Sequence, residues 1–420
     1  MKGGGRVLWP GAEMQCWFMR GASMRRKFAN VIVVLAVLVA AAVLALHRWA
    51  APPAPDAFYT FADAGTLPPR GTLLRSEPFT RDMPKNAVAY RILYSTARTD
   101  GTIVPASALV VVPAGSGAEP AKQHDVIAWA HGTTGIVAGC APTLFARQFH
   151  EMPDLPKVLD EGWAIVAADY VGLGTAGGHA YLVGEQTALA VADALRAARQ
   201  IESVSLSARY VTWGISQGGH TALWMGQRGA ALAPELTQLG TAALAPASDL
   251  TALVRDSRTS HFGKLVSALA VASYAKAYPD MDVESYVKPW TRFLVNDIAS
   301  RCFGDKRTLF SLAAAFLLPA DLFAKDPLSG PMAEHLSQNT PRGPFPLPVL
   351  VAQGTADSLV LPSIQATYVK ARCADGAAID YRSFEGLTHI TLTGAGSPLI
   401  PVLLRWSRDR FDGKPATPNC

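Results

Sequence analysis

The chain has 420 residues, half of them hydrophobic and 17% charged, which suits one large α/β domain with insertions or two ordinary domains. Its formal charge of +5 arises in the leader: residues 1–50 hold seven Lys/Arg against one acid, leaving 31 basic and 32 acidic residues in the body. A nearly neutral body excludes a nucleic-acid footprint, which needs a basic stripe on the folded domain.

In chain order, Arg25-Arg-Lys27 stands before a run from Val31 to Leu46 made only of Val, Ile, Leu and Ala. A basic flank ahead of an apolar core predicts a secretory signal peptide or signal anchor within residues 1–50. The body is therefore expected to be extracytoplasmic, secreted or periplasmic, and membrane-tethered if the segment is retained. The run is long for a signal peptide and short for a membrane span. Cleavage after Val43-Leu-Ala45 is the expectation, and Met24 competes with Met1 as the start. Residues 51–85, opening on Ala50-Ala-Pro-Pro-Ala-Pro55, read as a linker and N-terminal arm. Four cysteines lie beyond the leader: Cys140, Cys302, Cys373 and Cys420. An even count in an exported chain predicts two disulfides, with three connectivities open.

The domain is expected over residues 86–420. Ala87 to Thr96 and Thr102 to Val112 read as two strands joined at Thr99-Asp-Gly101. Short apolar strands follow at Val126–Ala130, ending in His131-Gly-Thr-Thr-Gly135, and at Trp163–Ala168, ending in Asp169-Tyr-Val-Gly-Leu-Gly174. Gln186 to Ile201 carries a helical period. Strands alternating with helices predict a mostly parallel central sheet with helices on both faces. The alternation stops near Ser248 and resumes at Pro346–Ala352, so residues of about 250–345 read as an inserted helical cap. Within it, Leu309 to Leu318 is too apolar for an exposed helix and is expected to line an acyl pocket beneath the cap. A helix at Ser363–Arg372, a strand at Ile379–Phe384 and a helix at Pro398–Phe411 close the chain.

The chemistry centres on Tyr210-Val-Thr-Trp-Gly-Ile-Ser-Gln-Gly-Gly219, a strand running into a tight turn and then a helix. Gly214-Ile-Ser216-Gln-Gly218 fits the nucleophile elbow G-x-S-x-G, with glycines where side chains would collide. A serine nucleophile needs a base and an acid to orient that base, in the chain order Ser, Asp/Glu, His. Asp357, in Gly354-Thr-Ala-Asp-Ser358, follows one strand, and His389, in Gly386-Leu-Thr-His389, follows the next. His220 lies inside the elbow helix, and His261 and His335 belong to the cap. Glu385, Asp375 and Asp380 read as surface, turn and strand-edge residues. The oxyanion of the tetrahedral intermediate needs two donors. Gln217 supplies one amide, and Thr133 or Thr134 of the His131-Gly-Thr-Thr loop the other. His131 itself is expected to brace backbone. No H-E-x-x-H or paired C-x-x-C spacing occurs, so neither a metal nor a cofactor is expected.

Taken together, Ala128-Trp-Ala-His-Gly-Thr-Thr-Gly135 with Cys140-Ala-Pro142, Asp169-Tyr-Val-Gly-Leu-Gly174 with Tyr181-Leu-Val-Gly184, Gly214-Ile-Ser-Gln-Gly-Gly219 and Gly354-Thr-Ala-Asp357 resemble the secretory lipase family of α/β-hydrolases. The resemblance runs from about Tyr90 to the C-terminus. It implies an α/β-hydrolase fold, a helical cap before the last third, disulfides Cys140–Cys302 and Cys373–Cys420, and an exported serine esterase or lipase. Some members carry an acidic residue in the oxyanion loop, where this chain has His-Gly-Thr-Thr. The expected function is a carboxylic ester hydrolase (triacylglycerol lipase or carboxylesterase) working through an acyl-enzyme on Ser216. An acyltransferase or a serine peptidase would use the same triad, and a non-catalytic envelope protein would use the same scaffold. The expected partners are an ester or lipid substrate and a lipid interface touched through the cap, with the protein a monomer.

Overall fold

The computed structural model describes residues 30–42, 44–45, 48–49, 51–61, 67–115, 123–304 and 308–420. The chain divides into two units, Met1–Ala51 and Pro52–Cys420. In the first, residues 30–42 are helical and exposed, which covers much of the apolar run. The basic flank at 25–27 and the alternative start at Met24 lie outside the described residues. Among the described residues, no helix is long and apolar enough to cross a membrane.

The second unit is built on nine strands: β1 (Leu73–Pro78), β2 (Ala87–Ala97), β3 (Ile103–Pro113), β4 (His124–Ala130), β5 (Ala164–Ala168), β6 (Leu206–Ile215), β7 (Thr237–Leu244), β8 (Val349–Gly354) and β9 (Ile379–Phe384). They form one sheet in the order β1-β2-β3-β5-β4-β6-β7-β8-β9. The first four in that order pair antiparallel, and every pair from β5 to β9 is parallel. Parallel neighbours need crossovers, and here helices provide them: α1 (Leu155–Asp160), α2 (Gly184–Ala198), α3 (Gln217–Leu232), then a cap of α4 (Leu250–Ser257), α5 (His261–Ala277), α6 (Val283–Tyr286), α7 (Arg292–Ala299), α8 (Thr308–Leu317) and α9 (Gly330–Gln338), and finally α10 (Pro362–Ala374); α11 (Leu399–Phe411) follows the last strand.

Strand side chains alternate between two buried faces, which is why β3 to β5 read as continuous apolar runs. Val126, Ala128 and Ala130 of β4 pack with α2 and α3, whereas Ile127 and Trp129 pack with α1 and α11. The first of these faces is rich in alanine on both sides, Ala106, Ala108 and Ala164 meeting Ala190 and Ala194, so α2 packs close to the sheet. The cap has its own core, centred on Leu265, Leu269, Val271 and Tyr274 of α5.

Two expectations need correction. The arm at 51–85 is part of the folded unit: Phe58 and Tyr59 are buried against Leu93, and β1 extends the sheet by pairing with β2. Leu73-Leu-Arg-Ser-Glu-Pro78 is a partly exposed edge strand, so it lacks the alternation by which a strand is recognised. Most of the apolar segment Leu309–Leu318 lies in α8, and none of it is among the residues lining the cavity at Ser216. It buries Ser311, Ala314 and Ala315 and exposes Leu309, Phe316 and Leu317, each about 70% accessible.

Candidate active site

The elbow sits where β6 turns into α3. Ser216 has φ 56° and ψ −117°, a conformation strained for any residue with a Cβ. Three backbone bonds hold it there: its N–H donates to the Leu244 carbonyl at 2.9 Å, and its own carbonyl accepts from His220 N at 3.0 Å and Ala247 N at 3.1 Å. The flanking glycines are steric necessities. A Cβ on Gly214 would lie 2.0 Å from the Gly218 carbonyl oxygen, and one on Gly218 would lie 1.9 Å from that of Ala130.

Asp357 and His389 follow β8 and β9, neighbouring parallel strands whose C-terminal ends lie on the same sheet edge as the elbow. His389 Nδ1 lies 2.7 Å from Asp357 Oδ2. The loops carrying them are tied together: Thr355 N donates to the Phe384 carbonyl, Ala356 N to that of Leu387, and Gly386 N to Thr355 Oγ1. Asp357 is fully engaged. Oδ2 also accepts from Gln353 Nε2 at 3.1 Å, and Oδ1 accepts from the amides of Leu359 and Val360 at 2.8 and 2.9 Å. No hydrogen bond joins Ser216 Oγ to His389 Nε2, a contact that commonly tightens only once substrate is bound.

The loop after β4 borders the elbow, since Ala130 pairs with Gly214 and a Cβ on Gly218 would lie 2.6 Å from the His131 carbonyl oxygen. Gln217 opens α3 and is buried, with its side-chain Nε2 2.6 Å from His179 Nε2. Thr133 Oγ1 lies 2.9 Å from the Tyr181 hydroxyl. Thr134 is buried, and its carbonyl accepts from Phe303 N in the cap at 2.8 Å. Gly132 N donates to Glu151 Oε2 at 3.0 Å, which removes that amide from the competition. His131 braces the loop, with Nδ1 2.7 Å from the Gly132 carbonyl and its ring against Tyr170. Burial pushes its pKa down to about 4, so the ring is neutral and donates one hydrogen bond only.

Ser216 opens into a cavity of about 620 Å³, its open mouth included. Leu250, Leu253, Val254 and Ser257 of α4 line one wall and Gly263, Val266, Ser267 and Ala270 of α5 the other. Both sets follow the i, i+3, i+4, i+7 period of a single helix face. Small residues on α5, Gly263, Ser267 and Ala270, leave the space, and Leu359 and Val360 from the Asp357 loop line it too.

The competing residues lie elsewhere. His220 Nε2 contacts the Asn339 carbonyl, His335 pairs with Asp280, and His261 packs on Phe316. Asp375 pairs with Arg372, Asp380 with Arg382, and Glu385 is exposed. The disulfides join Cys140 to Cys302 and Cys373 to Cys420. The first ties the chain just after the His131–Gly135 loop to the inserted helical segment. The second holds a tail whose Asn419 bonds to the β9 backbone. Among the described residues, no cluster of His, Cys, Asp and Glu could hold a metal ion. Sequence reasoning missed Gln353, His179 and Tyr181. The Tyr181-Leu-Val-Gly184 motif was visible, but no local signal assigned it a task.

A family model described as secretory lipase matches residues 145–419. Similar proteins include the probable inactive lipase MT1628 of Mycobacterium tuberculosis (strain CDC 1551 / Oshkosh), 28% identical over 390 residues that cover 87% of this chain and 84% of that protein. The secreted triacylglycerol lipase LIP2 of Malassezia globosa is 26% identical over 427 residues, covering 93% of this chain and 89% of its own. Among solved structures, Candida antarctica lipase A in its closed state superposes with a TM-score of 0.71 over 88% of this chain and 89% of that one. Its identity to this chain is 22%. That likeness carries the α/β-hydrolase fold.

Proposed function

The chain belongs to the secretory lipase family, and from there we propose that it is an exported serine ester hydrolase cleaving acyl esters, lipids among them, through an acyl-enzyme on Ser216. The observation that carries the reading is the 2.7 Å His389–Asp357 pair on the sheet edge that bears the strained Ser216 elbow. Ser216 Oγ attacks the ester carbonyl while His389 Nε2 takes its proton. Asp357 keeps the other ring proton on Nδ1, the tautomer that leaves Nε2 free as a base. The Gln217 amide and a Thr133 or Thr134 amide meet the oxyanion. His389 then protonates the leaving alkoxide, and water releases the acid by the same steps in reverse roles.

The slot between α4 and α5 receives the acyl chain. Each methylene buried there contributes about 0.8 kcal/mol, so kcat/KM rises about three- to fourfold per carbon until the slot is full. The α8 helix serves the approach to lipid. Its exposed Leu309, Leu312 and Phe316 fall on one face, and Phe316 packs on His261 beside the cavity residue Phe262. A helix that hides serine and alanine while exposing leucine and phenylalanine suits contact with an apolar surface. Residues 1–50 act as the export signal, and the body works as a monomer.

Labelling with a fluorophosphonate, followed by a panel of 4-nitrophenyl esters from acetate to octanoate, tests the proposal. The wild type takes up label at Ser216 and turns over the longer esters faster, and Ser216→Ala does neither. A wild type that takes no label is a hydrolase scaffold without catalysis.

A further inference from the structure

The side chains of Gln217 and of Thr133, on the two elements that offer candidate oxyanion donors, are both held from one short segment ahead of α2. Burial pushes the His179 pKa down to about 3, so its ring is neutral. Nδ1 faces the Val171 carbonyl at 3.3 Å, a group that only accepts, so the ring proton sits on Nδ1 and Nε2 is left as an acceptor. Gln217 Nε2 donates to it at 2.6 Å. Two residues on, the Tyr181 hydroxyl meets Thr133 Oγ1 at 2.9 Å. The segment is buttressed in turn. Ser273 of α5 accepts from Tyr181 N at 2.7 Å and donates to the His179 carbonyl at 3.0 Å, and the Tyr170 ring stacks on His179.

We infer that His179 and Tyr181 are the positioning residues of the oxyanion hole, one clamping the Gln217 side chain and the other the Thr133 side chain. They thereby fix the spacing of two amide donors that belong to different elements, the first turn of α3 and the loop after β4. The inference rests on Ser216 being the nucleophile. Donors to a tetrahedral oxyanion act only when held in place before the reaction, and a supporting shell is what holds them. Because Ser273 belongs to the cap, the frame also links cap packing to the hole without any cap residue touching the oxyanion. His179 and Tyr181 act through Gln217 and Thr133 and touch no reacting atom.

The test compares Tyr181→Phe, which deletes one hydroxyl, with His179→Phe, which keeps the stack on Tyr170 but removes the acceptor. His179→Gln restores an acceptor. Kinetics on 4-nitrophenyl butyrate are read beside the inhibition constant of an alkyl trifluoromethyl ketone, which binds as a tetrahedral adduct. Tyr181→Phe lowers kcat about tenfold and His179→Phe about 30- to 100-fold, with KM changed by less than about twofold. Ketone affinity falls in step with kcat/KM, and His179→Gln recovers part of the loss. Should His179→Phe fail to fold, Tyr181→Phe decides alone. Variants with wild-type kcat, or a fall in kcat with ketone affinity unchanged, overturn the inference while an active wild type keeps Ser216 as nucleophile. A wild type that neither labels nor turns over esters overturns both.

Discussion

Replacing Asp357 by Asn tests the triad at the atom that sets the histidine's tautomer. The Oδ1 position accepts two backbone amides, Leu359 N and Val360 N, fixed by the chain after β8. An Asn side chain has one oxygen, and it must take that position, because an amide NH₂ there would face two donors. The NH₂ is then aimed at His389 Nδ1 and Gln353 Nε2, where Asp357 Oδ2 now accepts from both. Gln353 cannot rotate to help without losing its bonds to the Gly354 and Val360 carbonyls. His389 is left with Nδ1 as acceptor and its proton on Nε2, the nitrogen that must accept from Ser216. The expected loss is about 10⁴ in kcat, or about 5.5 kcal/mol of transition-state stabilisation. The unmatched donor pair at Gln353 costs about 1–3 kcal/mol of stability, too little to account for the lost rate. Steady-state hydrolysis of 4-nitrophenyl butyrate, read beside a urea midpoint, separates the two effects. A kcat within about tenfold of wild type refutes the assignment and moves the orienting role to another acid.

Val266→Trp fills the slot between α4 and α5. It should leave acetate hydrolysis within about twofold and cut octanoate hydrolysis by at least about tenfold, so an unchanged chain-length profile places the acyl chain elsewhere. Acid should destabilise the fold. His131 and His220, held near 4, and His179, near 3, refuse protons that the unfolded chain takes up below about 6.5. Stability is therefore full above that pH and falls toward pH 4, by on the order of 3 kcal/mol for each histidine held near 4. Buried Asp169, raised by burial to about 7, works the other way. It binds a proton in the folded state that the unfolded chain has released, so its cost grows as pH rises from about 4 to 7. Asp193, also raised by burial, acts in the same direction as Asp169. Together the three histidines carry the larger shift, and a urea midpoint that holds or rises between pH 6.5 and 4.5 contradicts this reading. Reducing Cys140–Cys302, which spans 162 residues, should cost up to about 5 kcal/mol by chain entropy, against about 4 for Cys373–Cys420, which spans 47. Single-bridge variants that melt in the opposite order would point to native-state contacts instead.

Much of the site is legible in the chain because its requirements are local. A serine at φ 56° needs glycines two residues to either side, and those glycines are visible as letters. An acid and a base at the ends of consecutive parallel strands fall on one sheet edge by topology alone, so Asp357 and His389 could be named from strand order. The alternating strands and the hundred residues without them set out the sheet and the cap in the same way. Tertiary structure alone decided what depends on which surfaces meet. The α8 run is apolar all round, and a helical period with no polar face does not say which side packs; the core took Ser311, Ala314 and Ala315, and Leu309 and Phe316 were left outside. The slot instead formed between α4 and α5, where small residues recur on a face whose partner lies on another helix. The support of Gln217 by His179 spans 38 residues, and that of Thr133 by Tyr181 spans 48. Hydrogen bonds over such separations leave no periodicity in a sequence, because they arise only once the sheet has brought β4, β5 and β6 side by side.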